Sequence, residues 1–405
     1  MSKPIRTPAD MSILCISSFF KGNRFLQTCK ELGCRTYLLT VEKKLNDPWA
    51  REYLDDIWAL PDFEDRNVLT RSVAYLFRDH DFDRIAPLDD FDVERAAYLR
   101  EYLRVPGMGE TTARYFRDKL AMRSRARDRK IPIPRFSGII NHARVSNFLE
   151  SVPPPWLIKP RSEASAIGIR KIESAEQAWK TIHELGDEQS RYLIEEMLPG
   201  TIHHVDSIVW DREVVFAEAS RYWTPPFEIM HGGGVFATTT MERDDPLTRS
   251  LLEHNRKLAR ELGFVRGVLH TEFLKKPDDD TFYFIETAAR VGGANIAELV
   301  EAATGVSLWA EWAKIEIAQD ELPYKPPVPE RRYAALVVSL AKHERPDTSA
   351  FDDPEIWFRL DKKNHIGFVL QSDSRERVET LLEDYVRRIQ ADHQMVLPPP
   401  SSAND

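Results

Sequence analysis

Cysteine is scarce in this chain of 405 residues, which contains three cysteines, all within the first 34 positions. No two of them form a CxxC pair, which argues against a disulfide framework and against a zinc site. We therefore expect Cys15, Cys29 and Cys34 to be small buried side chains in a reduced compartment.

Long apolar runs and blocks of positive charge are also missing. No stretch approaches the roughly 18 apolar residues that a membrane-spanning helix needs, and the first residues, MSKPIRTPADM, lack the apolar core of a signal peptide. The 56 lysines and arginines against 65 acids give a formal net charge of −9 with no basic cluster, which argues against a nucleic-acid partner. We expect a cytoplasmic protein with no nucleic-acid or membrane partner.

The pattern of apolar segments predicts a mixed α/β fold of several units, because 405 residues exceed one ordinary core. Residues 12–41 have the pattern of a strand, a helix and a strand, and residues 67–103 continue the α/β pattern with a helix, a short strand and a helix. The loop after the first strand, SSFFKGNRF, lacks GxGxxG, so no dinucleotide is expected there. The predicted units are residues 1–110 (open α/β), 111–322 (two subdomains, about 111–195 and 196–322) and 323–397 (α+β), with a disordered tail at 398–405.

Two carboxylates stand out in HTEFLKKPDDDTFYFIETAARVGG, residues 270–293. Glu272 and Glu286 lie in strand-like runs joined by the acidic turn of residues 277–280, which predicts a β-hairpin with one acid on each strand. Two facing acids repel unless a cation lies between them, and oxygen ligands with room for phosphate suit Mg²⁺. Arg290 can reach the same cluster, which favours a metal and phosphate site over two solvated acids.

Other segments carry weaker signals of phosphate binding. Lys159 ends the apolar run WLIKP, and a buried lysine needs an anionic partner. The small-residue run 162–168 beside it can offer backbone N–H groups to phosphates. After the acid pair, Gly292 and Gly293 allow the backbone to approach a ligand closely.

Two further segments have a structural and a functional interpretation each. YLIEEMLPG, residues 192–200, is either a strand that ends in a turn or a linker whose backbone reads adenine. His203 and His204 follow and, on a strand, point to opposite faces, so at most one faces a ligand. HGGGVFATTT, residues 231–240, is either a hairpin turn or a mobile lid before a strand.

In order, the chain reads DKLAMR, IPIP, IKPR, S-x-x-G, IEEMLPG, HVDS and E-x₃-R-x-GG, and this series resembles the ATP-grasp superfamily over about residues 115–318. The resemblance implies an ATP-grasp fold with an N-terminal α/β pre-grasp domain and a small C-terminal α+β domain. It implies that Lys119, Lys159, Ser165 and Gly168 bind the phosphates of ATP, that the hinge Glu195, Glu196, Met197 and Leu198 binds adenine, and that His203 or His204 contacts ATP as well. It also implies that Glu272 and Glu286 hold metal and that Arg290 steadies the transferred phosphoryl group.

Two positions depart from the family pattern. Ala288 stands where the family often has an asparagine metal ligand, so water or a phosphate oxygen would be the third ligand. Ile202 stands where an acid commonly binds ribose, and His203 or His204 would replace it.

The resemblance implies a carboxylate–amine ligase that forms an amide bond through an acyl-phosphate and releases ADP and phosphate. Its co-substrate would be ATP with two Mg²⁺ ions, Mn²⁺ being the alternative metal, and its partners a small carboxylic acid and an amine. The loop of residues 220–234 would line the acid pocket, with substrate contacts from Arg221, His231, Gly233, Gly292 and Gly293. The alternatives are a biotin- or purine-type carboxylase and a non-catalytic nucleotide-binding regulator, and a homodimer is compatible with the family.

Overall fold

A computed structural model describes residues 7–164, 166–319 and 322–396, with the backbone alone for residues 230 and 231. The tail predicted at 398–405 lies outside the described residues, as does Ser165.

The N-terminal domain is a parallel four-stranded sheet with helices packed on it, as predicted. Its strand order is β3–β2–β1–β4, so β1 lies between strands that come later in the chain. All three cysteines are free and buried, so the prediction that they are small buried side chains is confirmed. The elements are β1 (Ser12–Ser17), α1 (Asn23–Glu31), β2 (Arg35–Val41), β3 (Asp56–Leu60), α2 (Arg66–Leu76), β4 (Arg84–Pro87) and α3 (Val93–Leu103).

A second, smaller sheet follows, here called the lid sheet. It is antiparallel, with the strand order β5–β8–β6–β7. Two helices, α6 and α7, cover its apolar face around the fully buried Trp156. Its elements and those that lead into it are α4 (Glu110–Ala113), α5 (Lys119–Asp128), β5 (Phe136–Gly138), α6 (His142–Ser151), β6 (Trp156–Pro160), β7 (Arg170–Ile172), α7 (Ala175–Glu184) and β8 (Tyr192–Glu196).

The remaining strands form one antiparallel sheet of eight strands, the large sheet, in the order β13–β12–β9–β10–β11–β14–β16–β15. Its first elements are β9 (Thr201–Trp210), β10 (Glu213–Tyr222), α8 (Pro226–Gly232), β11 (Phe236–Thr240), α9 (Pro246–Leu262), β12 (Gly267–Lys275) and β13 (Phe282–Ala288). The later ones are α10 (Ile296–Thr304), α11 (Leu308–Ile317), β14 (Tyr333–Leu340), β15 (Ile356–Arg359), β16 (His365–Ser372) and α12 (Arg375–Arg388).

The large sheet has two differently covered faces. On the reverse face, Val205 and Phe273 pack against α9 in one apolar cluster. On the front face, Tyr222 and Leu336 pack against α10 in another. Strand residues alternate between these faces, so each position is assigned to a face by its register.

The structure corrects two expectations about helices and leaves one boundary as a prediction. The single helix expected over residues 296–318 is two helices, because Gly305 has φ 71° and ends α10 in the left-handed conformation. The loop expected at 220–234 contains the short helix α8. The C-terminal strands β14 to β16 extend the large sheet, so the domain boundary near residue 323 stays a prediction. Among the described residues, no helix has both the length and the apolar composition to span a bilayer.

Candidate functional site

The two predicted acids face each other across the β12–β13 hairpin. Glu272 is the direct cross-strand partner of Glu286, and a bulge follows immediately after Glu272. Like charges that are directly opposite on a sheet destabilise it unless something positive lies nearby. The predicted hairpin with one acid on each strand is confirmed.

Each acid has a donor or a cation of its own. Tyr222 Oη donates to Glu272 Oε1 at 3.0 Å, and His270 Nε2 lies 3.8 Å from the same oxygen. Lys119 Nζ donates to Glu286 Oε1 at 2.8 Å. Burial opposes the ionisation of Glu272, but His270 and Tyr222 hold its pKa below the usual range. Two adjacent carboxylates of this kind are the hard oxygen ligands that Mg²⁺ and Mn²⁺ prefer, so the pair fits such a cation.

A buried histidine–aspartate network, which was not predicted from the sequence, lies beside Glu272. Asp206 binds His204 Nδ1 at 2.8 Å through one oxygen and His270 Nδ1 at 2.9 Å through the other. Burial alone would lower the pKa of His270, but the Asp206 carboxylate raises it to about 9. The network therefore presents a cation to Glu272. Strand alternation was the available signal, since Asp206 lies two residues after His204, and His270 lies two before Glu272.

Lys159, predicted to need an anionic partner, has one in the lid sheet. Its Nζ forms an ion pair with Glu195 Oε1, and Arg123 of α5 binds Glu195 Oε2 at 3.0 Å from Nε and 2.9 Å from Nη2. The backbone of Glu195 is paired with Leu157 in the lid sheet. The side chain of Glu195 therefore faces these two cations, and its place in the adenine-reading hinge stays a prediction.

The segment after β8 leads from the lid sheet to the large sheet. The Glu196 N–H donates to the Arg135 carbonyl at 2.8 Å, and the Met197 N–H donates to the Pro155 carbonyl at 3.1 Å. The carboxylate of Glu196 forms a bidentate pair with Arg135. The backbone of Glu196, Met197 and Leu198 stays the predicted adenine hinge, and Leu198 is the first of these residues beyond the strand pairing.

Arg290 points toward the N-terminal domain. Its Nε lies 3.8 Å from Oδ1 of Asp90, in the loop after β4, and neither atom has a hydrogen-bond partner in the described part of the chain. Arg117 binds the other oxygen of Asp90 at 2.9 Å. Burial opposes the ionisation of Asp90, but Arg117 and Arg290 keep its pKa below the usual range. Two buried, unpartnered polar atoms mark a position where a water or a ligand group can bind.

The glycines near the site differ in the space around them and in their backbone conformation. A Cβ on Gly292 would lie 2.9 Å from Asp206 Oδ1, so the backbone approaches the histidine–aspartate network closely, whereas Gly293 faces open space. Gly168 has φ 70°, which favours glycine at that turn. Ser165, in the same predicted phosphate loop, lies outside the described residues.

Comparisons with known proteins agree with this geometry. No protein-family model matches the chain. An L-arginine-specific L-amino acid ligase of Bacillus subtilis is 22% identical over 303 residues, which are 73% of this chain and 73% of that protein. The crystal structure of an L-amino acid ligase from Bacillus licheniformis superposes with a TM-score of 0.73 and 17% identity, covering 95% of this chain and 98% of that one. N5-carboxyaminoimidazole synthetase from Staphylococcus aureus, complexed with ADP, superposes with a TM-score of 0.71 and 13% identity, covering 92% and 96%.

This chain has the ATP-grasp fold. The predicted resemblance to the ATP-grasp superfamily is thereby confirmed, together with the mixed α/β fold class.

Two residues predicted to contact ligands in the ATP-grasp site lie on the reverse face of the large sheet. His204 is the cross-strand partner of Glu272, whereas the neighbouring His203 pairs with Arg221 on β10. Arg221 in turn pairs with Thr239 on β11. Because the sheet separates them from Glu272, the expectations that His203 binds ATP and that Arg221 binds the carboxylic acid are corrected.

Two further predicted substrate contacts lie between β10 and β11. Gly233 has φ 71° and lies against Val396, from which a Cβ would be 2.6 Å away. Its contact is therefore with the C-terminal segment rather than with the acid pair. The side chain of His231 lies outside the described part of the chain.

Proposed function

We propose that this protein is an ATP-dependent carboxylate–amine ligase. It activates a carboxylate as an acyl-phosphate, joins it to an amine and releases ADP and phosphate. The observation that carries the proposal is the convergence of Lys119 on the facing pair Glu272 and Glu286. The similarity to the L-arginine-specific L-amino acid ligase over 73% of the chain supports an amino acid as at least one of the two substrates.

The two lysines are proposed to bind the phosphates of ATP. Each is already held by a carboxylate, Lys119 by Glu286 and Lys159 by Glu195. A cation that is fixed before the ligand arrives loses less conformational freedom on binding. The lysines therefore contribute positioning as well as charge, which is most of what phosphoryl transfer requires.

Glu272 and Glu286 are proposed to hold divalent metal. Two Mg²⁺ ions, or Mn²⁺ instead, would supply neutralisation of the phosphate oxygens when bound. Ala288 follows Glu286 by two residues and offers no ligand atom, so we assign the third ligand to water or phosphate. Ile202 likewise offers no ribose contact, and the buried His204 has both ring nitrogens engaged, by Asp206 and Thr238, so no histidine is assigned to ribose.

Arg290 is proposed to stabilise charge on the phosphoryl group as it moves. Its Nε has no hydrogen-bond partner in the described part of the chain and lies 3.8 Å from Asp90 Oδ1, in the loop after β4 of the N-terminal domain. Guanidinium donors aimed at developing negative charge lower the barrier without a covalent intermediate on the protein. The buried cysteines are not required for this chemistry.

The acid and the amine are proposed to bind at the carboxyl edge of the parallel sheet, next to Arg290. The strand order reverses between β1 and β4, and crevices at such positions bind ligands in open α/β sheets. The loops after these two strands bring together Lys21 and Asp89, which form an ion pair, and Asp90. These charges match the ammonium and carboxylate groups of amino acids.

A carboxylase that uses bicarbonate is the rival enzyme, since the fold is also that of N5-carboxyaminoimidazole synthetase. The amino-acid ligase is favoured because the similarity to the L-arginine-specific L-amino acid ligase is detected in the sequence itself, over 73% of this chain. A homodimer through the first or last domain remains part of the proposal.

The test is release of ADP and phosphate from Mg·ATP. Amino acids are supplied singly and in pairs, and bicarbonate is supplied with each amine. The ligase predicts release that requires an acid and an amine together, with the amide product found by mass spectrometry. Release that requires bicarbonate would replace the proposal with a carboxylase, and tight ATP binding without turnover on any mixture would replace it with a regulator.

A further inference from the structure

A polar cavity of about 180 Å³ lies on the reverse face of the large sheet. Its floor consists of neighbouring positions on four strands, which include Lys275, His203, Arg221 and Thr239. Its wall is the first turn of α9, which contributes Thr248. The proposed ligase reaction uses none of these side chains.

Two buried side chains in this cavity have polar atoms without partners. His203 and Thr248 are each 2% exposed, and neither His203 Nδ1 nor Thr248 Oγ1 has a hydrogen-bond partner within the described ranges. Native proteins seldom leave such groups unpaired, because each costs about 1–3 kcal/mol when nothing binds it. The arrangement indicates that a ligand or an ordered water molecule forms the missing hydrogen bonds with both groups.

The charges around the cavity favour an anion. Arg221, Lys275 and Arg375 line it together with two carboxylates, Glu242 and Asp245. Both carboxylates are already engaged, since Glu242 accepts a tyrosine hydroxyl and Asp245 caps α9. Lys275 and Arg375 also form ion pairs with other acids, whereas Arg221 has no ion pair within the described ranges, so Arg221 is the cation that remains to meet an anion.

We propose that this cavity is a second binding site, separate from the nucleotide and metal site, for a small oxyanion, either a carboxylate or a phosphate. Guanidinium, hydroxyl and imidazole N–H groups are typical donors to such oxygens. Burial, together with Arg221, lowers the pKa of His203 to about 4, so its ring is neutral at physiological pH. The Arg221 guanidinium and the Thr248 hydroxyl are therefore the donors that the cavity offers to an oxyanion.

The position distinguishes this site from the one on the front face, and its volume of about 180 Å³ is enough for a small anion with ordered water. His203 and Arg221 alternate along their strands with His204 and Tyr222, which point to the front face. An occupant therefore lies behind the sheet and does not touch Glu272.

The test is calorimetric titration of the full-length protein with sodium sulfate, sodium phosphate and sodium acetate. Chloride keeps the ionic strength constant, and a non-hydrolysable Mg·ATP analogue saturates the front-face site. We expect millimolar binding of at least one anion. The variants Arg221→Gln and Thr248→Val should each weaken it about tenfold or more, whereas Lys119→Met should leave it unchanged.

Thr248→Val keeps the shape of the side chain and removes only its hydroxyl, so it remains informative if Arg221→Gln fails to fold. Circular dichroism verifies the fold of each variant, and binding of the ATP analogue verifies it further for Arg221→Gln and Thr248→Val. Tighter binding of sulfate and phosphate assigns the site to phosphate, and tighter binding of acetate assigns it to carboxylates. The proposal is overturned if none of the three anions binds, if both reverse-face variants bind as the natural protein does, or if Lys119→Met abolishes binding.

Discussion

Replacing Glu195 by glutamine should destabilise the protein strongly. Glu195 and Arg123 are each 1% exposed, and Lys159 is 6% exposed. One carboxylate serves both cations, through contacts of 3.0 and 2.9 Å to Arg123 and an ion pair to Lys159. Burial opposes the ionisation of Glu195, yet these two cations hold its pKa below the usual range. Glu195→Gln leaves two buried cations without a counter-charge, for which the expected cost is about 3–5 kcal/mol.

The assay is urea-induced unfolding of the natural protein and the variant, followed by circular dichroism. The adjacent Glu196 provides a matched control, because it lies on the same strand and pairs with Arg135, whose side chain is 51% exposed. Glu196→Gln should cost less than about 1 kcal/mol, as exposed pairs do. The reasoning is refuted if Glu195→Gln lowers the free energy of unfolding by no more than Glu196→Gln does.

Three further predictions concern the front face. Glu286→Gln should abolish ADP formation with the fold intact, because it removes a proposed metal ligand and the partner of Lys119, and unchanged turnover would contradict the metal assignment. Arg290→Ala should lower kcat much more than it raises KM for ATP, because its contact is expected to tighten in the transition state; a change in KM alone would contradict that role. The pKa of His270 is about 9 in the folded protein and about 6.5 in the unfolded chain. Protonated His270 should therefore stabilise the fold by about 3 kcal/mol below about pH 6.5, and this stabilisation should be lost as the pH rises through about 9. Urea unfolding in chelator across this range should show that loss in the natural protein and not in His270→Gln, and equal pH dependence of the two would contradict it.

Much of the fold followed from local sequence signals. The acid pair was predictable because two strand-like runs flank a short acidic loop, and a short loop limits which residues can face each other. The N-terminal strand–helix–strand pattern was predictable for a similar reason. β3 was missed because Asp56–Leu60 is short and partly exposed, so it lacks a long apolar run.

The parts of the site that were missed depend on contacts distant in sequence. Asp90 meets Arg117 and Arg290 only after the N-terminal domain docks on the large sheet, and no local spacing encodes that docking. Arg221 was misassigned because its loop looked suited to a substrate, whereas register on β10 decides the face. Strand alternation relative to Glu272 would have corrected it once the pairing was known.

The most direct test of the ligase proposal follows the oxygen atoms of the acid substrate. The carboxylate is labelled with heavy oxygen, and the phosphate released with the amine present is analysed by mass spectrometry. An acyl-phosphate keeps one carboxylate oxygen between carbon and phosphorus, and attack of the amine on the carbonyl carbon sends that oxygen away with phosphate. The account predicts one labelled oxygen in each phosphate released. Unlabelled phosphate, released alongside amide product, would contradict it.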